Sequence, residues 1–440
     1  MASDGTNSPA NSGVARPWQE FFDVGGVRTE LLGIDASPGP ARLQVLIVPG
    51  NPGFAALYLP LMAHLHAALG GTAAVLAASH AGHDGMHPHG GRQVWDLAEQ
   101  VAHKAALLRR VAALLPGGPP LVVVAHSIGA AMMLRAIASV EGWAPAGPEG
   151  TPDEQGAKPP PAADGTAGGG AGAAVVAVAA SGGGGGGGSP AILKLVAVFP
   201  FLEAAAPGSN ARQAAIRRVA AWHGRLGWLG DLLAALPTAL LAGCLRLGSG
   251  MAGGPAAAMA ARLNRSTLVN SLYLGTDEFK ELSRPWPWPQ LASGLGARLH
   301  VMGCDQDTWL SRAQYEEMRQ RVPGLQATWH ADLRHDFCVH DVQCRAVAVH
   351  VARIVAGAEL MPGGGREGAE LPPGGGRAGA GQGAAAAAAV EAAVEGKAVE
   401  GKAVEGKAVE EAVEEAVKEE DVVVVVEGMA PVPAEALCRL

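Results

Sequence analysis

Three residue types at three separated places could together turn a serine hydroxyl into a nucleophile. Such a hydroxyl reacts poorly until a base takes its proton, and the base needs a carboxylate behind it to fix its tautomer and stabilise the imidazolium. Ser127 lies in L-V-V-V-A-H-S-I-G-A-A-M-M-L-R, residues 121–135. Leu121–Val124 has the β-branched character of a buried strand, and an apolar run with helical spacing starts after Gly129. A serine at that junction sits on a tight turn with its hydroxyl pushed out and the first helical N–H groups pointing beside it. This is the nucleophile elbow written G-x-S-x-G, here with Ala125 in place of the first glycine. A plain helix N-cap is the competing reading. Downstream, Asp307 follows a predicted strand and His335 lies in the loop after the next one, so the order is serine, acid, histidine. Asp305 is the alternative carboxylate. His330, ending a strand, and His340, opening the last helix, are alternative bases with structural explanations of their own.

Attack on an acyl group also needs fixed donors for the oxyanion. One is the backbone N–H of Ile128. The other is expected from the loop Pro49-Gly50-Asn51-Pro52-Gly53, where Asn51 has an N–H and Pro52 has none; a simple tight turn is the alternative reading. His80, His83, Asp84, His87 and His89 form a dense cluster. Its spacing matches neither H-x-H-x-D-H nor H-E-x-x-H, which leaves three readings: a metal site, a loop lining the mouth of the site, or a solvated loop. The serine chemistry requires no cofactor and no metal.

The elements that must position these residues follow in order. Trp18–Asp35 alternates around Gly25-Gly26 and predicts a hairpin. Strands are expected at Arg42–Val48, Ala73–Ala78, Leu121–Val124, Ile192–Phe199, Arg298–Val301 and Gln326–His330. Helices are expected at Tyr58–Leu69, Gln93–Leu115, after Ser127, at Gln314–Val322 and at Val342–Val355. Strands alternating with helices imply an α/β fold, a doubly wound, mostly parallel sheet. Residues 1–16 are expected to be disordered and 17–358 to form one domain. Within that domain, 141–190 reads as a flexible Gly/Pro/Ala-rich insertion and 204–295 as a helical cap. Leu232–Leu245 within the cap is apolar, too short to cross a bilayer comfortably, and interrupted by Pro237. It is either a cap helix over the sheet or a surface that lies on lipid. Residues 359–440 read as a low-complexity acidic tail with A-V-E-G-K repeats.

The 440 residues carry a net charge of -8, and no basic patch stands out, which argues against a nucleic-acid partner. Five cysteines without C-x-x-C spacing suit reduced thiols in a cytosolic setting. The N-terminal stretch has no apolar core of a secretory signal.

Several stretches carry a resemblance to a family: V-P-G-N-P-G at Val48–Gly53 with Tyr58 after it, S-H-A-G-H at Ser79–His83, and L-A-E-Q-V-A-H-K at Leu97–Lys104. A-H-S-I-G-A at Ala125–Ala130, D-x-W at Asp307–Trp309 and H-x-F at His335–Phe337 complete the set. Over roughly residues 40–140 and 190–357 the chain resembles the lipid droplet-associated hydrolases, serine esterases of the α/β-hydrolase superfamily. The resemblance implies an α/β-hydrolase fold with a helical cap, with Ser127 as nucleophile, Asp307 as acid and His335 as base. It also implies a lipid ester substrate such as a sterol or glycerol ester. The expected location is the droplet monolayer or a membrane surface on the cytoplasmic side, at the droplet or the endoplasmic reticulum. Two departures stand out: Ala125 at the elbow, and Asp336, an added charge beside the base. Other outcomes of the same residues are a weakly active or non-catalytic droplet protein that affects lipid storage, or an acyltransferase using the same serine.

Overall fold

The computed structural model describes residues 17–37, 39–85, 94–114, 118–143 and 191–359. The expectations for residues 1–16, for the bulk of the insertion, for the tail and for His87 and His89 lie outside the described residues. The hairpin forms as β1 (Trp18–Val24) and β2 (Val27–Ile34). It is followed by β3 (Leu43–Val48), α1 (Leu59–Ala68), β4 (Ala73–Ala78), α2 (Leu97–Leu114), β5 (Leu121–His126) and α3 (Ile128–Glu141). After β6 (Ile192–Val198) come six helices in succession: α4 (Ala211–Ala220), α5 (His223–Ala235), α6 (Thr238–Ser249), α7 (Gly253–Ala260), α8 (Arg265–Leu282) and α9 (Trp288–Leu295). The chain closes with β7 (Leu299–Gln306), α10 (Arg312–Arg321), β8 (Gln326–Arg334) and α11 (Asp341–Glu359).

The eight strands form one sheet in the order β1-β2-β4-β3-β5-β6-β7-β8. β1, β2 and β4 pair antiparallel, and all pairs from β4 to β8 are parallel. This is the doubly wound arrangement of an α/β-hydrolase. Every residue of β3 and β5 is buried, as expected for parallel strands covered on both faces. Alternation then splits them between two cores. Leu46, Val48 and Val123 face the core under α2, α3, α9 and α10, while Val45, Ile47, Val122 and Val124 face the one under α1 and α11. Each such side chain, fully buried, contributes about 1.5–3 kcal/mol.

Two element boundaries differ from expectation in ways that matter. β5 runs two residues further, to His126, so Ser127 follows the strand directly. β8 runs on to Arg334, four residues past His330, and delivers His335 at its end. The apolar run around Pro237 is not one segment. Pro237 precedes α6, and α5 and α6 meet at 114°, because proline cannot continue the hydrogen-bond ladder of the first helix. Among the described residues no single helix is long and apolar enough to cross a membrane.

Candidate active site

The sheet brings Ser127, Asp307 and His335 together beyond the carboxyl ends of β5, β7 and β8, where open parallel sheets place their sites. His335 Nε2 lies 3.1 Å from Ser127 Oγ. On the other side of the ring, Nδ1 lies 2.9 Å from Asp307 Oδ1. That contact is close but off the line of an ideal hydrogen bond, since Nδ1 and Asp307 Oδ2 are both buried without a directed partner among the described residues. Asp307 is further fixed by the Trp309 N–H, which donates to Oδ1 at 2.7 Å. Its carboxylate is fully shielded from solvent, whereas the His335 ring keeps 16% exposure. Asp305 does not join them: its Oδ1 accepts from Trp329 Nε1 at 2.6 Å on the exposed side. His330 packs on His350 with ring centroids 4.0 Å apart, and His340 faces Asp336. The added charge of Asp336 is held away from the His335 ring by Arg334, which donates to both carboxylate oxygens at 2.9 Å.

The elbow is strained in the way that chemistry requires. Ser127 has φ 52 and ψ -124, a conformation that a residue with a Cβ holds only when its surroundings enforce it. The enforcement is visible: its N–H donates to Val198 O at 3.1 Å, and its carbonyl accepts from Phe201 N at 3.2 Å and Ala130 N at 3.0 Å. Gly129 is needed because a Cβ there would lie 2.3 Å from Pro49 O. Gly50 is needed because a Cβ would come within 2.9 Å of Ser127 Cβ. Ala125 is buried within the core and tolerated, so the first glycine of the motif is dispensable here.

Two residues near the serine were not singled out chemically by sequence. Gly50 N–H donates to Tyr58 Oη at 2.9 Å, and the same hydroxyl is hydrogen-bonded to His126 Nδ1 at 2.7 Å. Burial, and then the neighbouring His335, hold the pKa of His126 well below the ordinary value. Its ring lies 4.8 Å from that of His335 and 4.9 Å from that of Phe337. The chain Gly50–Tyr58–His126 ties the P-G-N-P-G loop to the elbow. A histidine directly before the elbow serine, with a tyrosine ten residues into the preceding loop and helix, is the signal that could have found it.

The Asn51 backbone follows Gly50 in that loop, and Ile128 is the first residue of α3, where an N–H has no intrahelical acceptor. The Asn51 side chain turns the other way. Its Nδ2 donates to Ser271 O at 2.8 Å and to Glu278 Oε1 at 3.1 Å, both on α8.

The histidine cluster is resolved in part. His80 and His83 are buried, so they belong to no solvated loop. Burial lowers the pKa of His83 to about 4 and that of His80 well below its ordinary value. Among the described residues no group of three histidine, cysteine or carboxylate side chains could hold a metal ion. Instead the two resemblance motifs interlock. Gln100 of α2 donates to Ala81 O and accepts from Ala81 N–H, both at 3.0 Å. Lys104 Nζ donates to Ser79 O at 3.1 Å and to His103 Nδ1 at 3.2 Å, so His103 donates from Nε2 to Thr29 Oγ1 at 2.8 Å. The buried side of α2 thus carries Gln100, His103 and Lys104 alongside Leu97, Leu107 and Leu108.

Lys104 is fully buried, and desolvation lowers its pKa from 10.5 to about 7. Between those values the unfolded chain binds the extra proton, so this group makes stability rise with pH, by at most about 1.4 kcal/mol per pH unit. Lys104→Met is expected to remove that slope. Denaturant midpoints of both proteins at pH 7 and pH 9.5 check it, and equal slopes would show that Lys104 is not charged at the expense of the fold.

A profile described as lipid-droplet associated hydrolase matches residues 41–338. The chain is similar to the lipid droplet-associated hydrolase of Homo sapiens, 29% identical over 143 residues, covering 28% of this chain and 43% of that protein. It is also similar to the one of Mus musculus, 30% identical over 146 residues with the same coverages. The match thus spans under half the length of these curated relatives. Among solved structures, a putative lipase from Acinetobacter baumannii superposes with a TM-score of 0.49 at 11% identity, over 81% of this chain and 99% of that one. Since the profile extends over more than half of the sequence, the chain belongs to the lipid-droplet associated hydrolase family.

Proposed function

We propose that the protein is a serine hydrolase that cleaves carboxylic esters of lipids, such as sterol or glycerol esters, at the surface of lipid droplets. The observation that carries this reading is the ordered line Ser127–His335–Asp307 on a strained elbow. His335 Nε2 accepts the Ser127 proton as Oγ attacks the ester carbonyl, and Asp307 steadies the resulting imidazolium. The N–H groups of Asn51 and Ile128 receive the oxyanion. Collapse expels the alcohol, protonated by His335, and leaves an acyl-serine. Water, deprotonated by the same histidine, then releases the acid. No cofactor or metal enters these steps.

Membership of the family supports a droplet location, and the cap supports contact with lipid. Of six large hydrophobic side chains exposed among the described residues, five lie between Trp222 and Leu247 on the α5–α6 corner. Leu247 is 75% and Leu240 55% exposed, and Arg217, Arg218, Arg225 and Arg246 are exposed around them. Apolar side chains flanked by cations suit a phospholipid monolayer. Replacing Leu232 and Leu240 by Asp is expected to shift most of the protein from droplets to the soluble fraction of transfected cells, with hydrolysis of a soluble ester unchanged. Retention on droplets would assign the corner to cap packing alone.

The reading as a whole is tested by incubating the full chain with a fluorophosphonate and with a short-chain nitrophenyl ester. Labelling and ester turnover are expected; a folded protein that does neither would leave a droplet protein without this chemistry.

A further inference from the structure

The cap helix α8 carries an acid on its buried face. Asn270, Leu274, Glu278 and Leu282 recur every four residues and are all buried, so Glu278 occupies a position that its neighbours give to packing. α8 itself is firmly placed: a capping box at Asn264 and Thr267 opens it, Asn270 Oδ1 accepts from Trp95 N–H at 3.2 Å, and Asp277 accepts from Leu97 N–H at 2.9 Å.

Against this fixed helix rests the side chain of Asn51. The carbonyl of Ser271 can only accept, which assigns Nδ2 to the α8 side. Both amide protons are then spent on α8, on Ser271 O and Glu278 Oε1, while Oδ1 is buried without a partner among the described residues. The orientation of Asn51 is therefore decided by these two donations. Gly275 lies beneath, where even a Cβ would be 3.5 Å from Nδ2.

We propose that Glu278 is a positioning residue which, through Asn51, holds the loop carrying an oxyanion donor in register with Ser127. The proposal rests on the hydrolase reading above and goes beyond it by making the cap a support for the loop that carries an oxyanion donor. Burial raises the Glu278 carboxyl from 4.5 to about 8, with the Asn51 donation opposing and the Asp277 charge adding. From α2, α4 and α5, which pack on α8, no charged side chain among the described residues bears on it. At neutral pH the acid is mostly uncharged and accepts from Asn51. Above about pH 8 it ionises and sets a negative charge next to the loop that must stabilise another one.

The experiment compares wild type, Glu278→Gln and Glu278→Ala in the full chain, with kcat and KM for a soluble nitrophenyl ester from pH 6 to 10 and with fluorophosphonate labelling. Wild type is expected to lose turnover as pH rises through about 8. Glu278→Gln keeps the acceptor and cannot ionise, so it should retain neutral-pH kcat within about threefold and lose the alkaline fall. Glu278→Ala should lower kcat by about tenfold or more with KM changed far less, the pattern of a displaced oxyanion donor. An alkaline fall that persists in Glu278→Gln would overturn the proposal, and this arm decides even if the alanine variant fails to fold. A wild-type kcat in folded Glu278→Ala would overturn it as well. Wild type that labels no serine would instead overturn the hydrolase reading, and the positioning role with it.

Discussion

Ser127→Ala is expected to abolish fluorophosphonate labelling and to reduce ester turnover by at least about 10⁴-fold, or about 5.5 kcal/mol of transition-state stabilisation. The whole effect is attached to one atom. Oγ is the atom 3.1 Å from His335 Nε2, and the Cys338 thiol and Tyr58 hydroxyl are poorly suited as alternative nucleophiles. Burial raises the Cys338 thiol to about 12 and the Tyr58 hydroxyl well above its ordinary value. The fold should survive, because the backbone bonds that impose φ 52 on residue 127 run from its N–H and carbonyl, which alanine keeps. Alanine and serine also bear the same strain at that φ. An unfolding midpoint within a degree or two of wild type, together with lost labelling, separates chemistry from stability. Labelling that persists in the variant would move the nucleophile elsewhere and remove the basis of the proposed mechanism.

The parts of this site written in local sequence were those with a local cause. The elbow was legible because a β-branched run, a serine and a glycine two residues later leave few conformations open, and Gly129 is indeed pressed against Pro49 O. Asp307 and His335 were legible because each stands at the end of a parallel strand, where chain direction alone brings it to the site. The choice between Asp307 and Asp305 was less secure in sequence, since both leave the same strand. Side-chain direction separates them, sending Asp305 to Trp329 and Asp307 to His335.

What sequence left open depended on pairings across long separations. Asn51 finds its side-chain partners 220 and 227 residues away, and no window of sequence contains both. Lys104 shares its buried helix face with Gln100, His103 and several leucines, so periodicity placed the helix while missing that its polar residues meet the loop at Ser79–Ala81. Likewise the histidines of S-H-A-G-H had several readings because burial, which lowers their pKa, comes from α2 and the Gly53 loop rather than from neighbours in the chain. Glu278 is the intermediate case. Its place in a four-residue rhythm with Asn270, Leu274 and Leu282 gives a buried position, and its partner is the loop that folds against it.

Asp307→Asn is expected to lower kcat by about 10³-fold with little change in KM, while Asp305→Asn stays within about threefold of wild type. The asymmetry comes from proton bookkeeping. His335 must present an unprotonated Nε2 to Ser127, which requires its proton on Nδ1, and only an acceptor there keeps that tautomer. Asp307 Oδ1, 2.9 Å from Nδ1 and held by the Trp309 N–H, is the acceptor within reach. Asparagine is nearly isosteric, but it can offer its NH₂ toward Nδ1, which selects the opposite tautomer and points an N–H at the serine. The Trp309 N–H then becomes informative. It needs an acceptor at the position of Oδ1, so it favours the amide rotamer with its oxygen there, and that rotamer preserves the productive tautomer. Even so, the charge that stabilises the imidazolium is gone in either rotamer, so the loss remains large. A fall of only about tenfold would mean that the Trp309 bond enforces the correct rotamer and that tautomer, rather than charge, is the main service of the acid. A fall equal to that of Ser127→Ala would mean that both are lost together.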